Sequence, residues 1–159
     1  MSMSVEQFLS LSDTEQLQTI KDLNDIGQEE IIIDVLTGVG IDNLSVPLLG
    51  ELGRAYNNND KPEEAIKVFK AIDKKHRDAV WHYRCAYSYG SIVLSNCEAY
   101  TSENMQQMLA LLDSGVQLAT KENRNDVREY CFEVMDMCRL QMDFEKCEVD
   151  YPDLCLNYS

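Results

Sequence analysis

Residues 49–72, LGELGRAYNNNDKPEEAIKVFKAI, constrain the fold more than any other stretch of this chain. Leu49, Leu52, Gly53 and Tyr56 stand at i, i+3, i+4 and i+7, the spacing that gathers side chains on one face of a helix. Residues 57–61 carry no apolar side chain, and Ala65, Phe69 and Ile72 then resume the helical spacing. Two helices joined by so short a polar link pair antiparallel. Gly53 is the telling position, because glycine inside a helix costs about 1 kcal/mol relative to alanine. That cost is offset where a neighbouring helix approaches closely, and Ala65 is the small residue expected opposite it.

This pattern resembles the tetratricopeptide repeat, which has a large residue, Leu-Gly and Tyr on its first helix, then Ala and an aromatic on its second. Leu49 takes the place of the usual tryptophan, and Leu52-Gly53, Tyr56, Ala65 and Phe69 match. Asn59 stands where the turn glycine is normally found, and asparagine tolerates the left-handed conformation. Arg77 replaces the closing proline. The resemblance is good over 45–78 and weaker elsewhere. It implies ligand contact through first-helix side chains, which gives Arg54, Asn57, Tyr83 and Arg84 expected partner-binding roles, and Tyr87 joins them from the aromatic patch Trp81, Tyr83, Tyr87 and Tyr89. The string WHYRCAYSYG is also similar to short bacterial repeat proteins, some of them from toxin–immunity neighbourhoods.

The rest of the chain reads as helices with identifiable starts. Ser4-x-x-Gln7 and Ser12-x-x-Glu15 are capping boxes. They open a first turn around Val5, Phe8 and Leu9 and a helix over 13–25 that ends at Gly27. A second helix runs over 28–37. Its Ile31-Ile32-Ile33 run is β-branched, but the flanking charges favour helix. Ser45 caps the first helix of the matched repeat, and Asp60 with Glu63 caps its second. Asp78 caps a helix over 79–94 that is apolar on two faces, as expected for an element lying between neighbours. A loop over 95–100 follows. Thr101 or Ser102 then opens a helix with the stripe Met105, Met108, Leu109, Leu112 and Val116. Asn123 or Asn125 caps a last helix reaching about 141, with Val127, Cys131, Val134 and Cys138 inward. The tail, 143–159, has no helical period and carries aromatics among acids.

The net charge is −14, unevenly spread. Residues 1–43 hold nine acids and one base, whereas 44–78 are near neutral and the tail is acidic again. Such a surface repels nucleic-acid phosphates and anionic membranes and favours basic partners. The six cysteines form no CxxC, which suits a reduced, cytoplasmic setting. Cys131 and Cys138 read as small core hydrophobes, and Cys147 and Cys155 as the exposed thiols. No apolar run approaches the length of a membrane span, and the N-terminus lacks the features of a secretory signal.

Chemistry-bearing motifs are sparse. His76 and His82 are six apart and have no metal-ligand spacing to a carboxylate or cysteine. There is no GxSxG, no phosphate-cradling glycine loop and no HExxH. These readings converge on an all-α, right-handed stack of antiparallel helix pairs of the tetratricopeptide kind, with about seven helices. A single domain over 1–142 is expected, made of pairs at 1–43, 45–78 and 79–120 with a closing helix at 123–142, followed by the tail. The expected function is non-catalytic capture of a basic peptide or partner protein in a concave groove, with no cofactor, metal, nucleic acid or membrane. The alternative is an acidic inhibitor or immunity-type protein that masks a basic surface and relies on 1–43 and the tail.

Overall fold

The computed structural model describes residues 2–158, and every regular element among them is helical. By internal contacts the chain divides into two compact units, one up to His76 and one from Arg77 on, and the tail is part of the second. We refer to them as unit 1 and unit 2. Ten α-helices are present among the described residues, against about seven expected, because short helices at both ends fall below the length at which a period can be read.

Unit 1 comprises α1 (Val5–Leu9), α2 (Asp13–Asp25), α3 (Glu29–Val39), α4 (Val46–Asn58) and α5 (Pro62–Lys70). Both expected capping boxes form. The Gln7 amide donates to the Ser4 hydroxyl and the Ser4 amide to Gln7 Oε1, and Ser12 and Glu15 repeat the arrangement. The isoleucine run is helical and buries Ile32 in α3. α4 starts at Ser45, whose hydroxyl accepts from the Leu48 amide. Gly53 sits where α4 meets α5, but the group against it is the Phe69 ring rather than the expected Ala65. A Cβ at Gly53 would lie 2.5 Å from Phe69 Cζ and 2.8 Å from Cδ1. The core is aliphatic with two phenylalanines, Phe8 and Phe69, and includes Ile20, Leu36 and Leu52.

Unit 2 comprises α6 (Ala79–Asn96), α7 (Glu103–Lys121), α8 (Asn125–Met137), α9 (Phe144–Asp150) and α10 (Pro152–Asn157). Asp78 and Ser102 cap α6 and α7, each accepting from the amide three residues on. α6 packs on both α7 and α8, which explains its two apolar faces. The α7 stripe Met105, Met108, Leu109, Leu112 and Val116 is fully in the core. α8 stops at Met137, short of the expected 141, and a 3-10 turn, Arg139–Gln141, follows.

The expected tail without period is instead two short helices. The Asp143 side chain accepts from the Lys146 amide to start α9, and Pro152 occupies the first turn of α10, where its missing N–H costs nothing. The Tyr100 hydroxyl donates to Asp150 Oδ2 at 2.7 Å, and the Tyr158 ring lies 5.9 Å from Phe132 and 5.6 Å from Phe144. These contacts fold the tail back on its own unit and bury Cys147 and Leu154 completely.

Three helix junctions share one corner. α2–α3, α4–α5 and α7–α8 are each joined by three residues whose middle member has positive φ: Gly27 at 76°, Asp60 at 55° and Asn123 at 56°. In each, the residue after it donates back five positions: Gln28 to Leu23 (2.9 Å), Lys61 to Tyr56 (2.9 Å) and Arg124 to Ala119 (2.8 Å). This is a Schellman closure, which satisfies the last carbonyls of a helix. It corrects three expectations. The left-handed turn residue is Asp60, not Asn59. Asp60 does not cap α5, whose cap position is Lys61 without a side-chain bond. Neither Asn123 nor Asn125 caps α8, where the cap position is Arg124.

Candidate functional site

On unit 2, one face of α7 turns its stripe into the core while the residues between form the side of a groove of about 600 Å³. Asp113, Gln117, Leu118 and Lys121 of α7 line it together with Val116. α10 supplies Asp153, Leu154 and Asn157, and α6 supplies His82. The volume is in the range of sites that enclose a side chain or small ligand. Leu154 is fully buried and anchors α10, which places the polar neighbours Asp153 and Asn157 at the groove wall.

The charge in the groove is negative and poorly compensated. Asp113 is half-buried, and burial, with the Asp153 charge adding, holds its carboxyl above the usual carboxylate range. Its hydrogen-bond partner is Gln117, whose Nε2 donates to Oδ2 at 3.4 Å. Among the described residues, no lysine or arginine forms an ion pair with Asp113 or Asp153. His82 Nδ1 lies 2.8 Å from the Asp78 carbonyl, which can only accept, so Nδ1 carries a proton. Burial first, and Arg77 secondarily, keep the imidazole pKa below its ordinary 6.5, against the pull of that hydrogen bond. The arrangement is an apolar floor of Val116, Leu118 and Leu154 under two like charges, neither of them ion-paired, with Lys121 as the one cation of the lining. A cation with an aliphatic stem satisfies both features at once. Among the described residues, no group of three or more His, Cys, Asp or Glu side chains is placed to hold a metal ion.

The residues singled out from sequence lie elsewhere. Arg54 of α4 donates to Asp25 at 2.9 Å and to Glu51 at 3.2 Å, and Asn24 donates to the Glu51 carbonyl at 3.1 Å. Arg54 is therefore part of a polar strut between α2 and α4, and Asn57 is buried on the same helix. On α6, Tyr83, Arg84 and Tyr87 are half-buried. The Tyr83 ring lies 5.2 Å from Tyr130 and packs beside the Ala79, Ala119 and Val127 cluster. None of the five lines the groove, whereas His82 does. A signal was available: Asp113 is the one charged residue in α7 between Glu103 and Lys121.

The expectation for the thiols reverses. Cys147 and Cys155 are buried, with Sγ atoms 3.0 Å apart, and Cys97 is the exposed cysteine. Cys97 occupies the left-handed end of α6 (φ 50°). Burial pushes the Cys131 and Cys138 thiols up to about 12 and about 11, which fits inert core groups.

Among the described residues, no helix is long and apolar enough to cross a membrane. Compared with known proteins, the chain matches no family model, no curated protein and no solved structure.

Proposed function

We propose that this protein is a non-catalytic protein-binding module, cytoplasmic in setting, that holds a lysine- or arginine-bearing segment of a partner in the groove of unit 2. The observation that carries this reading is the carboxyl pair Asp113 and Asp153 over an apolar floor, with neither carboxylate in an ion pair although Lys121 stands on the same lining. An incoming ammonium or guanidinium relieves the repulsion, and its methylene stem covers Leu118 and Val116. The helix pairs are of the tetratricopeptide kind in this reading. Its support is the close Gly53–Phe69 approach and the recurrence of one corner at Gly27 and Asp60, 33 positions apart, about the length of such a repeat.

The test is titration of the full chain with a lysine-rich peptide. Asp113→Asn and Asp153→Asn are each expected to weaken binding about tenfold, which is about 1.4 kcal/mol. Glu29→Lys with Glu30→Lys on α3 is the contrast. If that pair abolishes binding while the groove variants leave it intact, the protein instead masks a basic surface with its acidic N-terminal segment.

A further inference from the structure

Cys147 and Cys155 face each other from α9 and α10, helices separated by the single residue Tyr151. Their sulfurs are 3.0 Å apart, and a disulfide needs about 2.05 Å, so closure requires a movement of only about 1 Å. Cys131 and Cys138 have other neighbours. Cys131 lies against Gly115, and Cys138 donates to the Gly90 carbonyl at 3.5 Å.

We propose that Cys147 and Cys155 form an oxidisable pair, closed to a disulfide by a hydroperoxide, and that the bond latches α10 in place. The two sulfurs are not equivalent. Cys155 is 9% exposed and Cys147 is 0%, so the oxidant reaches Cys155 first. The Cys147 thiol, as donor to Cys155, favours the Cys155 thiolate. Burial, with the charges of Glu148 and Asp113, still holds Cys155 above the ordinary thiol range, so the reaction is slow beside that of exposed Cys97.

In the first step the Cys155 thiolate attacks one peroxide oxygen. The O–O bond breaks, the departing hydroxide takes up a proton to become water, and Cys155 becomes a sulfenic acid. In the second step Cys147 sulfur attacks Cys155 sulfur. The S–S bond forms, the S–O bond breaks, and the hydroxyl leaves as water with the Cys147 proton. Two thiols lose two electrons, and one hydroperoxide of hydrogen is reduced to two waters.

The consequence follows from what α10 carries. Asp153, Leu154 and Asn157 are one wall of the groove, and Cys155 is on the same helix without lining it. A bond from Cys155 to α9 removes the freedom of that wall to open, so oxidation sets how readily the groove admits a side chain. This last clause rests on the binding role proposed above; the latch itself does not.

The experiment uses full-length Cys97→Ser protein, which removes the exposed thiol. It is exposed to hydrogen peroxide, quenched, alkylated and mapped by mass. The expected product is two hydrogens lighter, with the peptides bearing Cys147 and Cys155 joined, and dithiothreitol reverses it. Amide exchange across 153–157 slows by about threefold or more. Sulfinic or sulfonic acid without a link, a link to Cys131 or Cys138, or unchanged α10 exchange overturns the proposal. Cys147→Ser and Cys155→Ser are expected to lose the link, but the mapping is made on the unsubstituted pair, so a misfolded variant does not remove the test. A lysine-rich peptide is titrated in parallel. If the link forms and exchange slows while the peptide binds neither state, the latch stands and the groove reading fails.

Discussion

The two units use the same device, a glycine where helices cross, against different neighbours. In unit 1 Gly53 lies under the Phe69 ring, which is itself fully buried. In unit 2 the opposing atoms are mostly sulfur and methyl: a Cβ at Gly90 would lie 3.3–3.5 Å from Met108 Sδ, Met137 Cε and Cys138 Sγ, and one at Gly115 would lie 3.2 Å from Cys131 Sγ and from His82 Cβ. The cores follow suit. Among the described residues, no buried hydrophobic residue of unit 1 contains sulfur, whereas unit 2 buries Cys85, Met105, Met108, Cys131, Met135, Cys138, Cys147 and Cys155. A ring is rigid and fills its site in one orientation. A thioether has several low-energy rotamers and a soft, polarisable atom. The lesson is that a tight crossing does not by itself fix how intolerant a glycine is; the compliance of the opposing side chain does.

The largest test of this contrast is Phe69→Ala. Removing a fully buried ring from the α4–α5 crossing is expected to cost about 3–5 kcal/mol in urea unfolding. A loss under about 1 kcal/mol would mean that the ring does not hold unit 1 together.

Gly53→Ala comes next. The new methyl collides with the ring, and overpacking of about 1–3 kcal/mol outweighs the roughly 1 kcal/mol gained in helix propensity. Gly90→Ala meets yielding sulfur, so the two effects nearly cancel and stability stays within about 1 kcal/mol of the parent. Equal costs at the two positions would break the comparison.

Thiols sharpen it further, because all six lie in unit 2. Native labelling is expected at Cys97 first, with Cys85, Cys131 and Cys138 reacting only as unit 2 opens. Rapid labelling of Cys131 in the folded protein would show that the sulfur-rich core is loose rather than compliant.

The smallest effect concerns His82. Its folded pKa lies below 6.5, chiefly through burial, so between the two values the unfolded chain binds the extra proton. The stability contributed is complete above about pH 6.5 and declines as pH falls through the lowered folded value. His82→Gln should flatten that slope in thermal melts; an unchanged slope would assign it to other groups.

Much of this fold was legible because its signals are local. Ser4, Ser12, Ser45, Asp78 and Ser102 each act on the amide three residues on, and the sequence states that spacing directly. The corners were misread because Asp and Asn serve both as caps and as left-handed residues, so Asp60 and Asn123 looked like starts when they are stops. The tail was missed because α9 and α10 have 7 and 6 residues, under two turns each, too short to show a period. Cys147 and Cys155 were consequently assigned to the surface. The groove failed for the same reason. Asp113 is visible as an isolated charge on α7, but its companion Asp153 lies far along the chain, on the element that could not be seen.

Trp81 is the chain's single tryptophan. Its ring is nearly buried, with the Arg77 guanidinium 4.4 Å from its centroid and the His82 ring 4.8 Å away at 74°. The groove therefore has an optical reporter built in beside one of its lining residues. A protonated imidazole drains the excited indole, so emission should dim as His82 takes up its proton, with a midpoint below 6.5. His82 lines the groove, so a cation settling there is expected to shift that midpoint again. Steady-state fluorescence on the unlabelled protein thus reads the occupancy of the groove, with no added dye and no contribution from any second indole.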